Sequence, residues 1–309
     1  MKYIITGGAG FIGSHIADAL ASRGDEVIIL DNLFSGRMEN IRHLLDSRKV
    51  TFVQGSITDP DLLEKTFLGA DGIFHEAAIT SVPRSVKDPA ASNEANVTGT
   101  LQVLVAAQKC GVGKILYASS SSVYGDTPVL PKREDMVPNP KSPYAVSKLT
   151  GEYYLKVFQD LYGIETVSLR YFNVFGPRQD PNSEYSAVIP KFITKVLRRE
   201  SPVIYGDGSQ TRDFTYVRDV VQANLRAMDG SAQGIFNVAC GNRISLTDLA
   251  RTIMGIIGED LSLKFDPPRP GDIHDSLADS SKAQKAFGYA PEYTVKTGLA
   301  ETIQWYQRQ

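Results

Sequence analysis

The stretch that decides the fold lies at the start of the chain, where residues 2–13 read KYIITGGAGFIG. A short β-branched run passes directly into three glycines spaced three apart, Gly7, Gly10 and Gly13, and then into a helical pattern. Because glycine lacks a Cβ, such a turn can pass close to a pyrophosphate, whose charge then meets the amides at the helix N-terminus. The stretch therefore predicts the strand, turn and helix that open a dinucleotide-binding domain.

The rest of the first half repeats this alternation of short β-branched runs and segments of helical period, which is typical of βαβ units. Strands are predicted at 2–6, 27–31, 50–54, 71–76, 114–119 and 165–171. Helices are predicted from Phe11, after the N-cap Asp59, and from Ser142-Pro143 to about Tyr162.

After residue 175 the segments become shorter and more scattered. Helices are predicted at 188–199, 218–228, 245–257 and 295–306, and strands at 203–205 and 235–239. The fold class expected is α/β, with a Rossmann-type doubly wound parallel sheet over residues 1–172. A smaller mixed α/β domain is expected over 173–309, with segments able to return to the first sheet.

The composition is that of an ordinary soluble protein. The 309 residues include 33 Lys and Arg against 35 Asp and Glu, a net charge of −2, so neither nucleic acid nor an anionic membrane is an expected partner. No apolar run approaches the ~18 residues of a transmembrane helix, and no signal peptide pattern precedes the first strand. Cys110 and Cys240 form no CxxC pattern, so we expect buried free thiols, a reducing cytoplasm and no metal site.

An acidic residue follows at the position that selects the cofactor. Asp31 ends the second strand, 18 residues after Gly13, where a carboxylate hydrogen-bonds the adenosine ribose. A carboxylate there also repels a 2′-phosphate, so NAD is expected rather than NADP. The alternative is that Asp31-Asn32 is only a strand-ending turn.

Two further patterns indicate acid–base chemistry. Tyr144 and Lys148 lie four apart on one face of the predicted long helix. A tyrosine with a pKa of ~10 is a poor base at neutral pH, and a nearby cation favours its phenolate. Four serines, Ser119 to Ser122, follow the fifth strand at the edge where parallel sheets bind ligands. Each pattern alone has an alternative explanation. Tyr144 and Lys148 could simply lie on the surface of the helix, and the four serines could form a serine-rich loop.

Together these elements resemble the extended short-chain dehydrogenase/reductase family, over essentially the whole chain. The similarity becomes specific to nucleotide-sugar enzymes at four stretches: SSSSVYG at 119–125, RYFNVFGPR at 170–178, GDGSQTRDF at 206–214 and RPGD at 269–272. The chain is similar to UDP-hexose 4-epimerases acting on UDP-glucose or UDP-N-acetylglucosamine. This resemblance implies that Tyr144 is the base, Lys148 its activator and Ser120 the partner that bridges a substrate hydroxyl.

The resemblance also implies a ligand set. It implies a tightly bound NAD, regenerated each turnover, on Gly7, Gly10, Phe11, Ile12, Gly13, Asp31, Asn32, Ser35, Gly36, Ser56, Ile57, Ala77, Ala78, Tyr144, Lys148 and Tyr171. It implies a UDP-sugar on Ser81, Val82, Ser120, Ser121, Asn173, Val188, Tyr205, Arg212, Arg269, Asp272 and Ser276. In this set the two arginines bind the diphosphate with Asn173, Tyr205 lies beside uracil, and Asp272 contacts the nucleotide ribose.

The chain departs from the family pattern at two places, Ser56 and Ser121-Ser122. At a third place, Ser276, two interpretations remain. Ser56 stands where the family usually has an aspartate that contacts adenine, so a weaker contact is expected. Ser121 and Ser122 stand where sugar 4,6-dehydratases carry an acidic pair, which disfavours dehydration. Ser276 corresponds by spacing to a pocket wall; a small residue there implies acceptance of N-acetylated sugars, unless Ser276 faces solvent.

Other functions compete with 4-epimerisation of a UDP-hexose. A uronate 4-epimerase or an NAD-dependent sugar reductase would use the same scaffold. A catalytically idle NAD-sensing protein is the alternative from another class, but it would not need Ser120, Tyr144 and Lys148 together. The family resemblance also implies a homodimer, with helices near 90–110 and 144–162 packing across a two-fold axis.

Overall fold

A computed structural model describes residues 1–46, 50–181, 188–268 and 274–309. In these residues the strands are β1 Lys2–Thr6, β2 Glu26–Asp31, β3 Val50–Gln54, β4 Gly72–His75, β5 Lys114–Ser120, β6 Glu165–Tyr171, β7 Val174–Phe175, β8 Val203–Tyr205, β9 Thr211–Asp213, β10 Thr215–Tyr216, β11 Gly234–Val238, β12 Arg243–Ser245 and β13 Lys264–Asp266. The helices are α1 Phe11–Arg23, α2 Arg42–Leu45, α3 Pro60–Phe67, α4 Val82–Lys87, α5 Pro89–Asn93, α6 Gly99–Lys109, α7 Pro143–Tyr162, α8 Val188–Leu197, α9 Val217–Asp229, α10 Leu246–Ile257, α11 Ser281–Phe287 and α12 Val295–Tyr306.

The central sheet has seven parallel strands in the order β11-β6-β5-β4-β1-β2-β3. The strand order reverses between β1 and β4, and ligands of open parallel sheets bind in the crevice beyond such a switch point. The α/β doubly wound fold expected from the alternating pattern is therefore confirmed. All seven strands present their carboxyl ends to one edge, which is where the glycine-rich turn, Asp31 and Ser120 lie.

Two hydrophobic cores cover the faces of this sheet, because successive strand residues point to opposite sides. In β1, Ile5 packs with α1, α9 and α11 on one face, whereas Ile4 packs with α3, α6 and α7 on the other. Both isoleucines are fully buried. Burial on both faces explains why the strands read as continuous apolar runs rather than alternating ones.

The second half of the chain contributes to two different cores. Helices α8, α10 and α12 enclose a separate core that includes Phe192, Ile253 and Ile303. Strand β11, however, pairs with β6, and α9 packs against α1. Residues 217–238, which lie beyond the predicted boundary at 172/173, therefore pack with the central sheet. The boundary between the two domains stays a prediction.

Several predicted bounds need correction. The helix expected to reach residue 199 ends at Leu197, and the strand expected at 71–76 is the shorter Gly72–His75. The two-stranded sheets β7–β10, β9–β12 and β8–β13 include segments that the sequence pattern did not predict. Cys110 and Cys240 are free thiols as expected, but they are half-buried rather than buried.

Candidate active site

The glycine-rich turn between β1 and α1 is closed by backbone contacts that leave no room for side chains. Gly7 has a φ of +69°, and a Cβ there would lie 2.7 Å from the Cα of Ala77. A Cβ on Gly13 would lie 2.4 Å from the carbonyl oxygen of Gly7. Gly10 caps α1 without any side-chain hydrogen bond, so no cap side chain covers the first amides of the helix. This cradle fits a pyrophosphate group.

The Asp31 side chain connects this turn to the end of β2 through hydrogen bonds. Its carboxylate accepts hydrogen bonds from the amide of Ala9 at 3.0 Å and from the amide of Leu33 at 2.7 Å. A Cβ on Gly36 would lie 2.7 Å from both carboxylate oxygens, so only glycine allows this close approach. Burial raises the pKa of Asp31, and the two amides act against that rise. The charge therefore lies beside the predicted phosphate cradle.

The remaining cofactor candidates, apart from the catalytic pair and Tyr171, lie at the start of α1 or beyond the carboxyl ends of β2, β3 and β4. They are Phe11, Ile12, Asn32, Ser35, Gly36, Ser56, Ile57, Ala77 and Ala78. The hydroxyl of Ser56 is hydrogen-bonded to the hydroxyl of Thr58 at 2.8 Å. The Ile57 side chain is buried against Gly99.

The three catalytic candidates come together at the end of β5. Ser142 caps α7 by accepting from the amide of Ala145 at 3.1 Å, and Pro143 opens the helix, so Tyr144 lies in its first turn. The Tyr144 hydroxyl is hydrogen-bonded to Ser120. One turn later, the Lys148 ammonium donates to the carbonyl of Ala118 at 2.7 Å and lies 5.9 Å from the Tyr144 ring centroid.

Burial dominates the electrostatics of this group. It raises the pKa of Tyr144 to about 12, although the hydrogen bond with Ser120 acts in the opposite direction. Burial lowers the pKa of Lys148 to about 8, against the attraction of Glu76. At neutral pH the phenol is therefore protonated and the lysine carries a positive charge. Additional positive charge brought by a ligand would favour the phenolate.

Glu76 is a site residue that our sequence analysis missed. It follows β4 directly, and its Oε1 accepts from the Tyr171 hydroxyl at 2.8 Å. The Tyr171 hydroxyl also accepts from the amide of Asn224 at 2.8 Å, and Asn224 is fully buried. Burial raises the pKa of Glu76 to about 7, with Tyr171 and Lys148 acting against the rise. A charged residue at the carboxyl end of a buried strand was the available signal.

A buried ion pair beneath the site was missed as well. The Arg170 guanidinium donates to both carboxylate oxygens of Glu152, at 2.8 and 2.7 Å, and the two side chains are 2% and 1% exposed. The Ser119 hydroxyl donates to the same carboxylate at 2.5 Å. Since Glu152 lies one turn beyond Lys148 and Ser119 precedes Ser120, this network ties α7 to β5 beside the three catalytic candidates.

Several of the substrate candidates also meet. The Asn173 amide donates to Ser276 Oγ at 3.3 Å and to the carbonyl of Asp213 at 2.9 Å. The Arg212 guanidinium donates to the carbonyl of His274 at 2.9 Å. Ser276 is half-buried against Asn173, so it does not simply face solvent. Asn173, Arg212 and Ser276 therefore share one wall.

The other substrate candidates are more dispersed. Tyr205 ends β8, Val188 begins α8, and Ser121 opens the short 3₁₀ turn after Ser120. Ser81 caps α4 by accepting from the amide of Arg84 at 3.1 Å, and Val82 is the first residue of that helix. In α4, Ser85 accepts from the amide of Tyr144 at 3.1 Å, which ties α4 to the start of α7. Arg269 and Asp272 lie outside the described residues.

Within the ranges that the structure describes, no group of three or more His, Cys, Asp or Glu side chains is arranged to hold a metal ion. Among the same residues, no helix combines the length and apolar character needed to cross a bilayer.

Comparison with known proteins gives a consistent picture. Residues 3–239 match the model of the NAD dependent epimerase/dehydratase family. A UDP-glucose 4-epimerase of Mycolicibacterium smegmatis is 41% identical over 313 residues, with 99% of each chain covered. A UDP-N-acetylglucosamine 4-epimerase from Methanobrevibacter ruminantium M1, solved with UDP-N-acetylmuramic acid, is 43% identical with a TM-score of 0.96, covering 100% of this chain and 98% of that one. A Thermotoga maritima UDP-glucose 4-epimerase, solved with UDP-glucose, is 38% identical with a TM-score of 0.95, covering 100% and 99%.

Proposed function

The chain belongs to the NAD-dependent epimerase/dehydratase family, and we propose that it interconverts UDP-hexoses that differ in configuration at C4. The observation that carries this proposal is the group formed by Ser120, Tyr144 and Lys148, beside the glycine cradle and at the carboxyl edge of the sheet. The 4-epimerases among its relatives support the choice of reaction.

The cofactor would lie along the carboxyl edge of the sheet. The turn from Gly7 to Gly13 would hold its pyrophosphate, and Asp31 would face its adenosine ribose. When bound, NAD supplies a hydride acceptor that returns the hydride within the same turnover. The protein's own contribution is to orient the sugar and to move a proton.

Proton transfer falls to Tyr144. The phenolate oxygen takes the proton of the sugar 4-hydroxyl. The Ser120 hydroxyl is hydrogen-bonded to both the phenolate oxygen and the sugar oxygen and so bridges them. The C4–H and O–H bonds break and a 4-keto group forms; both bonds form again after the sugar has presented its other face. The Lys148 ammonium stabilises the phenolate, whose parent phenol has a pKa raised to about 12 chiefly by burial.

Presenting the other face requires a tightly held nucleotide and a loosely held hexose. Arg212 and Asn173 would hold the diphosphate, since a guanidinium suits phosphate oxygens, and Tyr205 would lie beside the uracil. Val188, Ser81, Val82 and Ser121 would complete the pocket. We include Arg269 and Asp272 in this nucleotide-binding set because they match the family's sequence pattern.

The sugar range extends to N-acetylhexosamines in this proposal. Ser276 is small and lies against Asn173, so it leaves volume for an acetamido group at C2. A uronate 4-epimerase on the same scaffold is the second candidate. Dehydration is disfavoured because Ser121 and Ser122 offer no carboxyl group to protonate a leaving hydroxyl.

Product analysis tests the proposal. The protein is incubated with UDP-glucose, UDP-N-acetylglucosamine and UDP-glucuronate, and the products are followed by NMR together with the absorbance of NADH. We expect C4 epimers of the first two and no net NADH. Tyr144→Phe should lower the rate by about 10²–10⁴-fold with NAD still bound.

A matched control is available on the same helix. Tyr153 is 59% exposed, so Tyr153→Phe removes a phenol hydroxyl from α7 outside the site. This control should keep the parent rate. Epimerisation by Tyr144→Phe at more than half the parent rate would refute the assignment of the base, and net NADH formation would favour a sugar reductase.

We also propose a homodimer, working in the reducing cytoplasm. The outer face of α7 exposes a row of apolar side chains, Val146, Val157 and Leu161, which are 50%, 45% and 70% exposed. A second copy of this helix face would cover them, in line with the family resemblance. Light scattering after gel filtration should give twice the monomer mass, and Leu161→Glu should shift it toward the monomer.

A further inference from the structure

Glu76 lies beside the catalytic group without being one of its three members. In the pairing of β4 with β5, His75 lies opposite Tyr117, so the next residue along β4 lies level with Ala118. The carbonyl of Ala118 is the group that accepts from the Lys148 ammonium at 2.7 Å. Glu76 is thus placed at the strand end next to the one that anchors Lys148.

The Glu76 carboxylate is held in this place from the other side of the sheet edge. Its Oε1 accepts from the Tyr171 hydroxyl at 2.8 Å, and Tyr171 is the last residue of β6. Asn224 of α9 donates from its Nδ2 to that hydroxyl at 2.8 Å and to the carbonyl of Val220 at 2.9 Å. Two elements, β6 and α9, therefore hold this carboxylate at the carboxyl end of β4.

We propose that Glu76 is the counter-charge that allows the site to hold the Lys148 ammonium and the positively charged ring of oxidised NAD together. The inference rests on the proposed function. The oxidised nicotinamide ring carries a positive charge and the reduced ring is neutral, so a fixed carboxylate favours the oxidised form. An ammonium as deeply buried as Lys148, which is 2% exposed, would by itself favour the reduced form.

The substitution Glu76→Gln isolates the charge, because glutamine has the same shape and keeps an oxygen that accepts from Tyr171. Both proteins are equilibrated with mixtures of NAD⁺ and NADH, and the bound nucleotide is analysed after gel filtration. We expect the preference for NAD⁺ over NADH to fall at least tenfold, or about 1.4 kcal/mol. Tyr171→Phe is the companion variant: it keeps the carboxyl group but removes a hydrogen bond that lowers the pKa of Glu76. In this variant the preference for NAD⁺ should therefore begin to weaken at a higher pH than in the unmodified protein.

A pH series on the unmodified protein gives a second measurement that needs no variant. Burial raises the pKa of Glu76 to about 7, so its charge is present above that pH and lost as the pH falls through it. A bound cation would lower this pKa, so the preference for NAD⁺ should weaken on acidification from pH 7. The titratable groups that face Glu76 from neighbouring elements are Tyr171 of β6 and Tyr144 and Lys148 of α7. His75 precedes Glu76 in the chain, and its ring is hydrogen-bonded to Thr6 and Thr100 instead.

The pKa values of His75, Lys148 and Tyr144 differ from that of Glu76. Burial lowers the pKa of His75 to about 3 and that of Lys148 to about 8, and it raises that of Tyr144 to about 12. A step below pH 7 that disappears in Glu76→Gln supports the proposal. An unchanged NAD⁺/NADH preference in Glu76→Gln would overturn it while leaving the proposed function intact. If the unmodified protein binds neither nucleotide, the proposed function fails first.

Discussion

The buried ion pair between Arg170 and Glu152 allows a prediction whose size follows from the structure. Arg170→Met removes two charge-assisted hydrogen bonds and leaves a carboxylate that is 1% exposed with only the Ser119 hydroxyl. A buried charge that loses its partner typically destabilises a protein by about 3–5 kcal/mol. Against a total stability of about 5–15 kcal/mol, that is a large fraction.

The reciprocal change should be similar in size. Glu152→Met leaves the Arg170 guanidinium buried without a carboxylate, 4.6 Å from the centroid of the Tyr124 ring. Replacing both members removes both charges, so the double variant leaves only the Ser119 hydroxyl without its acceptor, at a cost of about 1–3 kcal/mol. The double variant should therefore be more stable than either single variant.

The assay is urea unfolding of the four proteins, followed by circular dichroism at equal protein concentration. A double-mutant cycle should give a coupling free energy of at least about 2 kcal/mol, with similar slopes in urea. If Arg170→Met loses less than about 1 kcal/mol, or if the double variant loses the sum of the two single losses, the ion pair is not the link between helix and strand.

Two predictions concern ligand choice. Asp31→Ser should weaken NAD and relieve repulsion of a 2′-phosphate, so that the NAD/NADP preference measured by calorimetry narrows at least tenfold, or about 1.4 kcal/mol; an unchanged preference would leave Asp31 only its bonds to Ala9 and Leu33. Ser276→Tyr should lower kcat/KM for the N-acetylated UDP-sugars by about 10- to 200-fold and for UDP-glucose far less. Equal losses for both pairs would remove Ser276 from the specificity argument.

Local patterns predicted much of the fold and part of the site. The glycines of the first turn and the i, i+4 spacing of Tyr144 and Lys148 act over a few residues, so their geometry follows from helix and turn rules. Asp31 is likewise found at the end of its strand beside the turn. The structure brings Ser120 to Tyr144 because β5 and α7 pack together.

The elements that were missed depend on contacts distant in the chain. Glu76 and Tyr171 are 95 positions apart, and nothing in either neighbourhood indicates the other. Strands of two or three residues, such as Val174–Phe175 and Thr215–Tyr216, are too short to show a period of two. Asp213 accepts from the amides of Cys240, Gly241 and Ala278, a loop anchor that no spacing rule predicts.

The position of β11 at the edge of the central sheet has a consequence for synthesis on the ribosome. Strand β6 is complete at Tyr171, but its pairing partner begins only at Gly234. At about 5–20 residues per second, the roughly 60 intervening residues take about 3–12 s to appear. Throughout that interval the nascent sheet presents an unpaired strand edge next to apolar side chains such as Leu169, the kind of surface that invites intermolecular pairing. The edge of β6 is therefore covered only once the second half of the chain has been made.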